Sequence, residues 1–284
     1  MQNTGGIVET EIGYFSRDPK YDTEKPYVTS FPVDNFPGAK VNNHEWVFYK
    51  SVVGDVRDKF TPSLDIQGFQ YLNWKTEIGR PDFEVDETVK SRYYSELAEM
   101  IKQAFPRYKK LAFFDYAIRI RDRNYPSAHG AVTTNSQPFR FAHVDYTEKG
   151  ARMRLTDALG EGAEERLKTK CDILNVWRLL NDRPTKDWPL TFCDWRTVDE
   201  SNDLIENDVV FTTAIGENHY LRHNPDHKWW YLAEQRPEEV VIFRNVSIGD
   251  PLAARAFHCA FQNTQSDVNQ LHRESIEVRL AAFY

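Results

Sequence analysis

Apolar residues recur along this chain with two different periods, and the change between them divides it. Between Asp86 and Phe105, the residues Val89, Tyr93, Leu97, Met100, Ile101 and Phe105 fall on one stripe of a 3.6-residue period. That spacing predicts a helix with Asp86 as its N-cap and Pro106 as its stop, packed on the outside of a sheet. From Leu111 the period becomes 2. Phe114, Tyr116, Ile118 and Ile120 then share one strand face, with Asp115, Arg119 and Arg121 on the other. Asn124-Tyr125-Pro126 breaks that run, and Phe139, Phe141, His143 and Asp145 form the next same-face series.

Short β-prone runs follow at 173–180, 209–214, 228–232, 240–243, 256–261 and 276–283, with Asn224-Pro225-Asp226 and Arg236-Pro237-Glu238 as turns between them. Residues 156–170 are polar and charged and read as a helical surface insertion. Residues 1–70 are rich in Pro, Gly, Asp and Asn, with strand-like pieces such as 46–49, and read as an irregular N-terminal arm folded against the body. Many short strands with the helices gathered early predict a mainly β protein: a two-sheet jelly roll, or double-stranded β-helix, with flanking α-helices. Residues 1–284 are expected to form a single domain of this kind. Neither a βαβ repeat nor a glycine-rich phosphate loop is present in the sequence, so a nucleotide cofactor is not supported.

Composition adds limits. The chain is 40% hydrophobic, which is enough for a core, and 14% aromatic, which favours ring-filled space between sheets or an apolar ligand pocket. A net charge of -7 argues against a nucleic-acid partner, because the basic cluster from Arg119 to Arg123 is too short to reverse it. Cys171, Cys193 and Cys259 are odd in number and scattered, as expected of reduced thiols rather than a disulfide framework. With no apolar leader in Met1 to Gly13 and no run long enough to span a bilayer, the expectation is a soluble cytoplasmic protein without membrane insertion, possible as a homodimer.

The candidate chemistry lies in the polar residues of these strands. On a strand, His143 and Asp145 point the same way and can reach one metal ion. His219, His223, His227 and His258 are the candidates for a third ligand. His223 and His227 flank a Pro turn and cannot share a helix face, so they read as a surface turn. His258 lies in an apolar strand ahead of Arg273-Glu274-Ser275, which makes it the favoured candidate. Two histidines and one carboxylate on one side of a metal leave the opposite positions open, the arrangement of non-haem Fe(II) oxygenases. Arg273 and Ser275 share a strand face and offer a forked cation and a hydroxyl to a carboxylate.

In this order, His-x-Asp, distal His and Arg-x-Ser, the chain resembles the Fe(II)/2-oxoglutarate-dependent dioxygenases. The stretches from His143 to Thr147, Asn175 to Arg178, Pro189 to Asp194, His223 to Tyr231 and Arg273 to Arg279 are similar to one branch of them. That branch holds cephem methoxylation proteins and gibberellin desaturase-like or AsaB-like hydroxylases and desaturases, with fungal meroterpenoid endoperoxide-forming oxygenases close by. The match runs from about residue 110 to the C-terminus.

The resemblance implies Fe(II) on His143, Asp145 and His258, with 2-oxoglutarate chelating it and meeting Arg273 and Ser275. O2 would be the other co-substrate. The loop from Asn263 to Gln270 is longer than is usual in the family, so Arg279 and Arg178 stand as alternative anchors. Decarboxylation to succinate would generate an oxidant that takes hydrogen from an unactivated C–H bond of a small apolar natural product, a terpenoid or meroterpenoid. Hydroxylation, desaturation, rearrangement or endoperoxide formation could follow, and Tyr116 is a candidate hydrogen donor for the last. Two other readings use the same residues: a cupin-like metal oxygenase or isomerase without 2-oxoglutarate, and a non-catalytic jelly-roll binding module.

Overall fold

The computed structural model describes residues 6–57, 59–126, 136–267 and 270–284. The expectation about the start of the chain therefore falls partly outside the described residues, at 1–5, as does part of the 263–270 loop, at 268 and 269. In chain order the strands are β1 (Ile7–Phe15), β2 (Tyr27–Thr29), β3 (Trp46–Asp55), β4 (Phe69–Asn73), β5 (Lys110–Ile120), β6 (His143–Val144) and β7 (Cys171–Leu179). They continue as β8 (Leu190–Cys193), β9 (Leu204–Val210), β10 (Ile215–Leu221), β11 (Trp229–Tyr231), β12 (Glu239–Ile248), β13 (His258–Ala260) and β14 (Glu274–Phe283).

Two sheets result, one in the order β1-β3-β11-β8-β13-β6-β10-β9-β2 and the other in the order β4-β12-β7-β14-β5. From β5 to β8 and from β11 to β14 successive strands alternate between the sheets, which is the winding of a jelly roll.

Alternation along each strand decides what the sheets enclose. Leu174 and Val176 of β7 and Leu180 just after it join Val240, Ile242, Ile276 and Val278 under the helix Tyr94–Ala104, whose Leu97, Met100 and Ile101 are buried there. Burying each such side chain contributes about 1.5–3 kcal/mol, and this attaches the helix to the outer face of the sheet. The opposite face of β7 carries Trp177 and Leu179, which meet Phe69, Phe192 and Phe243 between the two sheets.

Four expectations need correction. The stretch 1–70 is not an irregular arm, because β1 and β3 pair antiparallel from Ile7↔Gly54 to Phe15↔Trp46 and β3 also joins β11. Buried Val8, Thr10 and Ile12 alternate there with exposed Glu9 and Glu11, so acidic residues mask a genuine period of 2. Asp86 is not the N-cap: Val85 occupies that position, and the Asp86 carboxylate instead pairs with Lys90 and accepts from Tyr116.

The insertion is two helices: Glu148–Leu159, which starts earlier than the charge pattern implied because the Thr147 hydroxyl caps it by accepting from the Gly150 amide, and the short Ala163–Arg166 within the expected range. Of residues 209–214, Val209 and Val210 end β9, and 211–214 are the tip of the β9–β10 hairpin rather than strand. The three cysteines are free and buried, and no helix among the described residues is long and apolar enough to cross a membrane.

Helix 148–159 closes against β10 through Gly150, where an added Cβ would lie 2.0 Å from the Glu217 carbonyl oxygen. Backbone cannot yield as a side-chain tip would. Gly150→Ala is expected to cost about 2–4 kcal/mol in denaturant unfolding, whereas Gly79→Ala, which meets nothing closer than 3.4 Å, should change stability by less than about 0.5 kcal/mol.

Candidate active site

His143 stands on the short strand β6 between two neighbours, opposite Tyr220 of β10 and opposite His258 of β13. The two imidazole centroids are 4.3 Å apart, and His143 Nε2 lies 3.3 Å from Asp145 Oδ1. One ligand atom from each of His143, Asp145 and His258 can be chosen so that all lie within 4.8 Å of one another, close enough to share an ion. Both rings are oriented from behind. His143 Nδ1 bonds the Phe141 carbonyl at 2.9 Å, and His258 Nδ1 bonds the Ala256 carbonyl at 3.1 Å. A carbonyl only accepts, so the proton sits on each Nδ1 and each Nε2 keeps its lone pair for a metal. Burial, with His143 beside it, pushes the His258 imidazole down to about 3, so it is neutral and available.

The carboxylate is held in the same way. Asp145 Oδ2 accepts from Asn175 Nδ2 at 2.8 Å and from Arg279 Nε at 3.0 Å. Burial alone would raise this carboxyl, but Arg279 and then His143 outweigh it and hold it well below the usual range. Arg279 also donates to Asp115 at 3.1 Å and to Glu277 at 2.5 Å. One guanidinium thus serves three carboxylates, of which Asp115 also pairs with Arg154. The surplus of negative charge suits a bound cation, and the two imidazoles with one carboxylate form the donor set that Fe(II) takes. The residues fit the metal.

Between the sheets, along β14 from Arg279, the charge imbalance reverses. Arg273 is wholly buried; its Nη1 donates to the Trp188 carbonyl at 2.5 Å, and its Nε has no partner among the described residues. The Ser275 hydroxyl is likewise buried without a partner among them. Burial, with Arg119 nearby, brings the Arg273 guanidinium down to about 10, the mark of a cation lacking compensation. Its neighbour Asp187 is committed to the Arg273 amide and to Arg121. Trp188 holds a left-handed φ of 43°, a strained conformation that aims its carbonyl at Arg273. Tyr125 and Arg140 add further buried donors, the Tyr125 hydroxyl and Arg140 Nε, without partners among the described residues. A buried cation beside unsatisfied donors is a place for a carboxylate.

The other candidates are placed elsewhere. Arg178 is corrected as an anchor: its side chain turns to the helix side of β7 and donates to the Tyr93 hydroxyl and to the Pro237 and Trp74 carbonyls. Arg279 is corrected too, because its nitrogens are committed to Asp145, Asp115 and Glu277. Tyr116 lies opposite Val278 on the helix-facing side, packs near Tyr94 and donates to Asp86, so it is corrected as a hydrogen donor at the metal. His223 stacks on Tyr49 at 3.8 Å, and His227 is buried against Asp203 rather than exposed. His219 pairs with Val144 rather than with a ligand. Asn175 and Asn245 were missed as site residues, and the available signal was a lone Asn within the apolar run Ile173-Leu174-Asn175-Val176-Trp177.

Comparison with known proteins agrees with this geometry. A family model described as Oxidoreductase/YMDC permease-like domain matches residues 12–283. The hydroxylase/desaturase efuI of Hormonema carpetanum is 29% identical over 255 residues, covering 82% of this chain and 83% of that protein. The Fe(II)/2-oxoglutarate-dependent dioxygenase nvfI of Aspergillus novofumigatus is 29% identical over 255 residues, covering 87% of each. A solved structure of a variant of the iron and alpha-ketoglutarate-dependent endoperoxidase NvfI superposes with a TM-score of 0.85 at 25% identity, covering 100% of this chain and 99% of that one. The chain therefore belongs to the Oxidoreductase/YMDC permease-like domain family, and within it is an iron- and 2-oxoglutarate-dependent dioxygenase.

Proposed function

We propose that this enzyme couples decarboxylation of 2-oxoglutarate to the oxidative tailoring of a largely apolar terpenoid or meroterpenoid, in a reducing compartment, the cytoplasm, that suits its three free thiols. His143, Asp145 and His258 hold Fe(II), and Arg273 with Ser275 receives the far carboxylate of 2-oxoglutarate. The observation that carries this reading is the opposition of two buried imbalances, negative around Asp145 and positive at Arg273. A metal ion answers the first and a dicarboxylate the second. Neither a metal-only oxygenase nor a binding module needs an uncompensated arginine in the core.

Bound iron supplies oxygen activation and the removal of hydrogen from an unactivated C–H bond. The chain's own residues orient and enclose. Nδ1 bonds to Phe141 and Ala256 fix the imidazoles. Phe139, edge-on to His143 at 4.7 Å, and Phe243, 4.6 Å from His258, keep water from the metal face. A cavity of about 610 Å³ lies beside Asp145 and Arg279, with Tyr146, Met153, Val209 and Phe211 on its walls together with the charged Asp115, Arg154, Asp157 and Glu217. That size suits a polycyclic skeleton, and the charged wall suits polar substituents on it. The substrate radical's fate (hydroxylation, desaturation, rearrangement or endoperoxide formation) is set by how those walls hold it.

Succinate production should require added Fe(II) and disappear in His143→Ala, Asp145→Ala and His258→Ala; product formed at full rate without 2-oxoglutarate would contradict the co-substrate. Loss of a hydrogen bond to a charged group costs about 1.5–3 kcal/mol, so Arg273→Ala is expected to raise KM for 2-oxoglutarate by roughly tenfold to a hundredfold. Arg178→Ala should lower the melting temperature and leave that KM unchanged. The reverse pattern would move the anchor to Arg178.

A further inference from the structure

Two departures from regular pairing in the five-stranded sheet converge on one carboxylate. On β12 the register passes from Arg244↔Leu174 to Val246↔Ile173, which leaves Asn245 as an extra residue. The bulge turns its side chain toward the metal-ligand strand: Asn245 Oδ1 accepts from the Asp145 amide at 2.9 Å, and its Nδ2 donates to Asn175 Oδ1 at 2.8 Å. Asn175 is thereby set so that its own Nδ2 meets Asp145 Oδ2. On β5 the pairing passes from Asp115↔Arg279 to Phe113↔Leu280, which leaves Phe114 extra. This bulge breaks the alternation expected for β5. Phe113 stacks on Tyr94 of the outer helix, while Phe114 packs near Tyr146 on the other side. Asp115 then lies opposite Arg279, and together with Glu277 it fixes the rotation of the guanidinium.

We propose that Asn175 and Arg279 are positioning residues that reserve Oδ2 of Asp145, so that the carboxylate offers only Oδ1 to the metal. The inference rests on the metal site proposed above. A free carboxylate can grip a cation through one oxygen or two, and a two-oxygen grip takes a position that the co-substrates need. Here rotation of Asp145 to present both oxygens breaks bonds of 2.8 and 3.0 Å to donors that the bulges prevent from following. Asn245 completes the clamp from the backbone side. Two residues thus hold one oxygen out of the coordination sphere, and Asn245 from a third strand sets one of them.

The test uses Co(II), a redox-stable probe whose visible absorption reports coordination number, titrated into the full-length chain, Asn175→Ala and Arg279→Lys. Outer-sphere partners of metal ligands are worth about tenfold to a hundredfold in affinity, so both variants are expected to bind Co(II) more weakly by that factor. Their Co(II) spectra should differ from that of the unmutated protein, and 2-oxoglutarate should no longer perturb them at a concentration that saturates the unmutated protein. Melting curves establish that each variant is folded. If Arg279→Lys is not, Asn175→Ala decides, because it leaves the ion pairs of Arg279 intact. Variants with unaltered affinity and spectra overturn the clamp alone. Unmutated protein that takes up no Co(II) overturns both the metal site and the clamp.

Discussion

The pairing of His143 with His258 across β6 and β13 is the constraint on which the site depends. Side chains alternate across a sheet, so a slip of one residue in either strand would exchange the ligands for their neighbours. Those neighbours are Val144, Phe257 and Cys259, which lie in an apolar cluster with Val8, Ile12 and Trp229. The cost of exposing that cluster, together with burying two histidines among hydrocarbon, keeps the register. The catalytic geometry is thus protected by ordinary hydrophobic burial on the far side of the same strands. This gives the N-terminal strands a part in the chemistry, although they contribute no ligand: β1 supplies Val8 and Ile12 to the cluster that holds the metal-bearing strands in place.

Electrostatics sets the second constraint. A protein interior tolerates buried charge only when it is compensated, and here compensation is left incomplete at two places of opposite sign. Around Asp145 the carboxylates outnumber their cations, and at Arg273 a guanidinium faces a carbonyl and orphaned donors. Iron with 2-oxoglutarate, placed as proposed, would bridge such a pair of imbalances, since the ion and the far carboxylate carry the opposite charges. Ligand binding then contributes stability to the fold as well as reactivity.

Much of this was legible in the sequence, for physical reasons. Period-2 alternation put His143 and Asp145 on one face, and the apolar setting of His258 separated it from the His223/His227 turn. The same rule put Arg273, just ahead of β14, together with Ser275 on it. What the sequence hid depends on irregularity. Periodicity assumes an unbroken ladder, so it could not foresee the bulges at Asn245 and Phe114, nor that Arg279 would be drawn to Asp145. Tyr116 and Arg178 share strands with Asp115 and Asn175 of the candidate site, but which face of β5 and β7 looks inward is decided by the helix packed on the other side. Strand β1 escaped notice because Glu9 and Glu11 occupy its exposed positions, and of β3 only the piece at 46–49 was legible.

The central claim is that iron on the triad and a dicarboxylate at Arg273 occupy one continuous site. It is tested most directly by adding 2-oxoglutarate to the Fe(II)-loaded protein without oxygen and recording the visible spectrum. Chelation of the iron by the 2-oxo acid gives a metal-to-ligand charge-transfer absorption. The account predicts this band at stoichiometric co-substrate, and predicts that it shifts to much higher concentrations in Arg273→Ala. Stoichiometric iron binding with no band at any 2-oxoglutarate concentration would contradict it.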